Sequence, residues 1–517
     1  MVADRRPRSR HDGGHRLVVT RKERLVPTVR HPDDLDRSTL ERVAFEGAPL
    51  SIEPALLARV DEHRELMLTA LAGERVYGVT TGMGFLSTID LDDEARASHQ
   101  RRLLLGRAVG SAPWLPPEEV RAIMLARLAE FLHGNSGVSG ALCSYIADRL
   151  NDGFCPAVPE RAVGAAGEIQ PLAHLFQTFV GVGLVLGDRG GTEEAEAALA
   201  GRGVAPYEPG PKEGLALLAG APAAVGLSSA RLRVAERLSA QQTVVAAAAC
   251  EGIDAPRSPY SSELGGLARD PVLAGVLTEL SGLLGDGVAD AGHQAPVSFR
   301  VVPQVLTQLR RTVVRLGEDT DRRLGAVTDS PAFVDGRFVT SGAFHAIDLA
   351  SGLDHLALAL AQVGELAVQR THRLLDERVT GLPAQLTREA GGCGLVVVHK
   401  RAVGALNELR RLAAPVSLGA ADTSLGQEDV QTFTFEAAAR LRRVEELATE
   451  ITACELLCVR QAWWLRGRAP EHGVLGALAG VVAGAVPPVE EDRPLGPEID
   501  RLVALLDADG LPPPPSA

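Results

Sequence analysis

Aromatic side chains are scarce in this 517-residue chain: phenylalanine, tyrosine and tryptophan together make up 4% of it. Alanine and leucine are abundant instead, a balance that favours helix over sheet. Excess positive charge is missing too. The formal net charge of −13 argues against nucleic acid or an anionic membrane as the main partner, while leaving room for a local basic pocket. No uninterrupted apolar run reaches membrane-spanning length, and the Ala/Gly-rich run from Val474 to Val486 reads as a buried helix. The amino-terminal MVADRRPRSRHDGGHR has no apolar stretch, so it reads as a disordered basic tail and not a signal peptide.

Cysteine is sparse and scattered. The six thiols, Cys143, Cys155, Cys250, Cys393, Cys454 and Cys458, suit a reduced, cytoplasmic protein. Cys454 and Cys458 lie one helical turn apart, but no His or Cys partners sit near them, so helix packing is the expectation and not a metal site. The glycine-rich stretch YGVTTGMGF, Tyr77 to Phe85, lacks both a preceding βαβ pattern and a G-K-[ST] ending, which excludes a phosphate loop. No metal, nucleotide, flavin or other cofactor is expected. What is present is the 45% apolar, 23% charged balance of a soluble globular protein, long enough for a large core.

Local patterns point to long helices. Leu35 to Leu71 reads as two helices, with Asp36 and Ser51 as N-caps. Pro116 to Gly134 reads as an amphipathic helix with Glu118 and Glu119 in its first turn. Ala223 to Ala255 is proline-free and alanine-rich, so one long helix is expected. Proline is also absent from Ala332 to Leu382 and from Val416 to Ala469, as in the long helices of a bundle, with Ser424 to Val430 opening the last of them. The two glycines at 82 and 84 make a tight loop that allows close backbone approach.

Several ordered motifs carry a resemblance. YGVTTGMGF is similar to Y-G-V-N-T-G-F-G, and AVGAAGEIQPLAH from Ala162 to His174 to G-A-S-G-D-L-x-P-L-x-H. PKEGLALLAGA from Pro211, APVSFRVVPQV from Ala295, SGAFHA from Ser341, SLGQEDV from Ser424 and VPPVEEDRPLGPEI from Val486 follow in the right order. Together they resemble the histidine/phenylalanine/tyrosine ammonia-lyase and aminomutase family over Asp34 to Leu506. The resemblance implies an all-α fold with a long central helical bundle and a homotetramer whose active sites each draw on three subunits. It divides the chain into a basic tail (1–33), a lyase-like amino-terminal domain (34–210), the bundle with carboxy-terminal helices (211–507) and a Pro-rich tail (508–517).

In that family an Ala-Ser-Gly tripeptide cyclises, with loss of water, to an electrophilic methylidene-imidazolone that captures an amine. Here the tripeptide is Ala165-Ala166-Gly167, and alanine has no hydroxyl to lose. The losses form a set: Ala219 stands for a supporting asparagine, Val297 for a tyrosine, Gly325 for an asparagine, Val430 for a histidine, and Arg107 for a histidine. The resemblance assigns the retained residues as follows: Tyr77 as catalytic base, Arg300 as carboxylate clamp, Phe344 as aromatic wall, and Gln427 and Glu428 beside the substrate amine or ring. A free phenol titrates near 10, so Tyr77 needs a neighbouring cation or hydrogen bonds to act as a base. Arg107 is a candidate for that cation and for substrate binding; its residue type alone leaves site and surface equally open. Tyr77 is otherwise a packed tyrosine, Arg300 an inter-subunit ion pair, Glu428 a helix-start acid and His345 a structural hydrogen-bonder.

Three functions follow. The first is an enzyme without the electrophile, in which Tyr77 moves a proton on a carboxylate-bearing small molecule (elimination, addition, isomerisation or cyclisation), in specialised metabolism. The second is an inactive homologue that binds a ligand or scaffolds a partner. The third, an ammonia-lyase that builds its electrophile from another residue, is disfavoured by Ala166.

Overall fold

The computed structural model describes residues 26–161, 163–164, 166–187, 190–285, 294–419 and 421–515. Most of the expected basic tail, and Ala165, lie outside the described residues. The architecture is helical. Among the described residues, strands are confined to three two-stranded ribbons: Thr28–Val29 with Ser51–Ile52, Leu184–Leu186 with Thr192–Glu194, and Ala332–Val334 with Arg337–Val339.

Helix α1 (Asp93–Leu105) and α2 (Pro117–Phe131) belong to the amino-terminal part, and the short α3 (Ile169–Gln177) follows the altered tripeptide. The bundle is built from α4 (Pro222–Gly252), α5 (Val302–Leu324), α6 (Ile347–Leu374), α7 (Val396–Leu412) and α8 (Thr434–Arg466). Helix α8 packs against α4, α6 and α7, and α4 against α2, α5 and α6. The alanines at 246–249 of α4 are all buried, and small side chains of this kind let neighbouring helices close in. At Gly226 the approach is close: a Cβ there would lie 2.7 Å from the Ile123 nitrogen on α2. The stretch Glu213–Gly252 is long and apolar enough to cross a membrane, but its most apolar window is 94% buried inside the fold. Cys454 and Cys458 are buried on α8, and no metal-holding cluster occurs among the described residues.

Charged groups inside the bundle are paired. Arg370 of α6 makes two parallel bonds to Glu455 of α8, at 2.6 and 2.9 Å. Arg231 of α4 joins Glu445 of α8 to Glu119 of α2. An uncompensated charge at either place would be strongly destabilising, which ties the helices to one register.

Several expectations are corrected. Asp36 does cap the first helix, accepting the Thr39 N–H at 2.7 Å, but Ser51 is no cap. It lies in a strand, paired in parallel with Thr28, and the next helix starts at Pro54 after Glu53. The last bundle helix starts at Thr434, not Ser424, because Ser424, Leu425 and Phe433 hold positive φ of 53–55°. The apolar Gly473–Ala485 helix buries only one face, with Leu475, Leu478, Ala479 and Val482.

Candidate active site

One cavity of about 340 Å³ gathers most of the residues singled out in the sequence: Tyr77, Ala166, Gly167, Phe344, Gln427 and Glu428 all line it. They come from four separate stretches of chain, brought together where the amino-terminal part meets the bundle.

Tyr77 opens a loop that folds on itself. Gly78 N–H donates to the Gly82 carbonyl at 3.3 Å, and the Thr80 hydroxyl accepts the Val76 N–H at 2.7 Å. Gly82 has no room for a side chain, since a Cβ would lie 2.4 Å from the Leu86 oxygen. Gly84, at φ +62°, turns its N–H onto the Tyr77 phenol oxygen at 2.7 Å. That contact is charge-assisted whenever the oxygen bears negative charge. Gln100 of α1 carries the loop to its neighbour: its amide donates to the Gly78 carbonyl at 3.3 Å and accepts the Leu215 N–H at 3.0 Å.

Arg107 follows α1 and is half-buried. Its guanidinium donates to the Leu103 carbonyl at 3.2 Å and lies close enough to feel the charges of Tyr77 and Glu428. Burial holds its pKa below the ordinary value, although those two groups act to raise it. The following segment is fixed by Gly110, whose N–H donates to His174 Nε2 at 2.7 Å.

The altered tripeptide faces the loop before α8. The Ala166 N–H donates to Glu428 Oε2 at 3.4 Å, and the same oxygen accepts the Thr423 hydroxyl at 3.1 Å. One residue beyond the tripeptide, buried Glu168 accepts the Ala223 and Ala224 N–H groups, both at 2.6 Å, at the start of α4. Burial pushes its carboxyl up to about 8, against those two donors and Arg127, which act in the opposite direction.

Behind the wall formed by Leu218, Ala219 and Gly220 lies a buried polar layer. Arg127 donates to the Ala219 carbonyl and pairs with Glu130 at 3.2 Å. Glu130 accepts the Thr328 and Asp329 N–H groups at 2.7 and 2.6 Å. Asp329 pairs with Lys212 at 2.6 Å, both side chains fully buried, and Lys212 also donates to the Ser136 carbonyl at 2.8 Å. Gly220, at φ +86°, abuts this layer: a Cβ would lie 2.6 Å from the Thr328 hydroxyl.

The chain also matches known proteins along most of its length. The model of the family described as aromatic amino acid lyase matches residues 35–482. The chain belongs to the aromatic amino acid lyase family. A histidine ammonia-lyase of Streptomyces coelicolor is 33% identical over 483 residues, covering 91% of this chain and 94% of the relative. Among solved structures, the tyrosine aminomutase of Streptomyces globisporus superposes with a TM-score of 0.87 at 27% identity, covering 94% of this chain and 97% of that one. The histidine ammonia-lyase of Trypanosoma cruzi does so with a TM-score of 0.86 at 26% identity, covering 93% and 94%.

Not every residue matched to a family motif reaches the cavity. Neither Arg107 nor Arg300 lines it; the Arg300 guanidinium donates to the Gln294 side chain at 2.9 Å, and its buried Nε has no partner among the described residues. Val297 is 58% exposed and Gly325 caps the end of α5, both away from the lining, as is His345. Nor do the residues present fit the methylidene-imidazolone. The side chain at 166 is a methyl group, and the wall at 219 is an alanine whose carbonyl is already taken by Arg127. Sequence reading passed over Gln100, Glu168, Arg127 and Lys212. The Ala219 carbonyl that Arg127 meets and the Asp329 carboxylate that Lys212 meets lie 92 and 117 residues away along the chain, and no local pattern signals them.

Proposed function

We propose that this chain is an enzyme of the aromatic amino acid lyase family that works without the methylidene-imidazolone. Tyr77 transfers a proton on a carboxylate-bearing, amino-acid-like small molecule. The observation that carries this is the meeting of Tyr77 and Glu428 at one cavity, with the Gly84 N–H on the phenol oxygen. Ammonia is a poor leaving group, and the electrophile exists to improve it. With Ala166 in place, elimination suits a substrate whose leaving group departs readily. The C–H bond breaks towards the Tyr77 oxygen, its electron pair forms the double bond, and the leaving group takes its own bonding pair. Addition, isomerisation and cyclisation use the same proton transfer.

A homotetramer belongs to this proposal. Exposed apolar side chains, Phe85, Leu86, Leu425 and Val430, flank the lining residues along the chain and suit cover by neighbouring copies. Arg300, whose buried Nε has no partner among the described residues, then serves a neighbour's cavity as the carboxylate clamp, through paired guanidinium donors.

The alternative is an inactive, ligand-binding or scaffolding homologue, favoured by the joint loss of the hydroxyl at 166 and the polar groups at 219 and 297. Mass-spectrometric comparison of a metabolite panel incubated with the parent and with Tyr77→Phe separates the two. The enzyme predicts at least one consumed metabolite, spared by Tyr77→Phe; a panel left intact by the parent favours the inactive homologue.

A further inference from the structure

Ring closure in the tripeptide would bond the Gly167 nitrogen to the Ala165 carbonyl carbon and expel that oxygen as water. Neither residue 166 nor residue 167 would then keep an amide hydrogen. In an open segment both amides survive, and Ala166 and Gly167 are part of the cavity wall. The Ala166 N–H meets a carboxylate, Glu428 Oε2, at 3.4 Å. That distance is at the long end for an N–H···O bond. The same oxygen is held independently by Thr423 at 3.1 Å. Glu428 therefore gives up little if another oxygen takes the amide.

We propose that the open segment is a hydrogen-bond donor to substrate, with the Ala166 N–H taking the acyl oxygen of a compound whose acidic C–H lies next to a carbonyl. Where the family has an electrophile that takes an amine, this chain has a donor that takes an oxygen. This rests on the base role of Tyr77 given above. When Tyr77 takes the proton, the C–H pair moves into a carbon–carbon double bond and the carbonyl pair moves onto oxygen. The negative charge then lies on the atom the amide faces. When the leaving group departs, the carbonyl re-forms, the carbon pair becomes the α,β-double bond and the charge leaves with the leaving group; on reprotonation the carbonyl re-forms and the carbon pair takes up a proton. A fixed backbone donor aimed at such an oxygen is an effective form of transition-state stabilisation. The substrate class is accordingly acids, esters, amides or ketones bearing an α-hydrogen or an α,β-double bond.

Three measurements on the full chain test the proposal. The intact mass must equal the sequence mass; a mass one water lower means that the ring has closed without a methylidene, which overturns the donor while leaving the role of Tyr77 standing. Wild type must bind trans-cinnamate in preference to cinnamyl alcohol, which has the same shape but no carbonyl; equal or absent binding overturns it. Replacing Ala166 with lactic acid by nonsense suppression exchanges the N–H for an ester oxygen and keeps the methyl group. It should weaken cinnamate binding at least tenfold, and unchanged binding overturns the proposal. Should that variant fail to fold, Glu428→Ala takes its place: removing the resident acceptor should tighten the uncharged cinnamamide, and equal or weaker binding overturns the donor. Failure of the base role appears separately, as turnover that survives in Tyr77→Phe.

Discussion

The phenol oxygen of Tyr77 accepts the backbone N–H of Gly84 at 2.7 Å, closing the tyrosine loop upon its own side chain. The position of the oxygen therefore depends on the path of residues 78–84. Gly82 is the tightest point on that path, with 2.4 Å between an added Cβ and the Leu86 oxygen. Backbone cannot yield as a side chain tip can. Gly82→Ala should displace the loop, with turnover down by about 10²-fold, the scale expected for a reacting group misplaced by about 1 Å. Assembly and helix content should stay at the parental level. Steady-state kinetics and circular dichroism check this together.

Glu168 makes stability depend on pH. Its folded pKa, about 8, lies above the ordinary 4.5, so the folded chain holds this proton more tightly than the unfolded one. The contribution is fully present below pH 4.5 and is lost as pH rises towards 8. Glu445, pushed up to about 8 chiefly by burial within the ion-paired layer of α2, α4 and α8, acts in the same direction. Glu168→Gln should therefore remove only part of the slope: between pH 5 and 8 its melting temperature should fall less than that of the parent. Parallel slopes in thermal melts would show that Glu168 titrates normally.

The buried Lys212–Asp329 pair holds the layer behind the cavity wall. Lys212→Met leaves the Asp329 carboxylate without its cation, a loss on the order of 3–5 kcal/mol. Urea unfolding should show it as a lower midpoint. Lys212→Met combined with Asp329→Leu should recover part of that loss, because the lone charge is then gone.

Much of the site was legible because motifs fix local conformation and order along the chain. Tyr77, Phe344, Gln427 and Glu428 lie on distant stretches yet line one cavity. Long helices were legible from proline-free runs and the all-α bundle from the family resemblance, and α4 starts and ends within three residues of expectation. Helix starts were harder. Proline absence marks where a helix is allowed, whereas left-handed residues at Ser424, Leu425 and Phe433 decide where α8 begins. Ser51 has the chemistry of a cap, but pairing with Thr28 claims it for a strand. Arg300 carries the motif of a substrate clamp, yet within one chain it reaches Gln294 and not the cavity. Glu168 was passed over because a single acid after a glycine gives no hint that the first turn of a distant helix will bind both its oxygens.

Restoring the hydroxyl alone should not restore ammonia elimination. Ala166→Ser leaves Ala219 and Val297 unchanged, so the groups that the family resemblance implies hold and polarise the ring are still missing. Ammonia release from histidine and phenylalanine should stay at background in that variant. Strong release from either amino acid would mean that the supporting positions matter less than the single serine.

The central claim is proton transfer by Tyr77, and hydrogen exchange reads it without knowledge of the leaving group. The full chain is incubated in D₂O with a panel of aromatic and polar amino acids, their β-substituted derivatives and α,β-unsaturated acids, and deuterium in each compound is followed by mass spectrometry. The account predicts deuterium at carbon in at least one recovered compound or product, abolished in Tyr77→Phe, with that variant's melting temperature and assembly unchanged. Exchange that continues at the parental rate in Tyr77→Phe would contradict it.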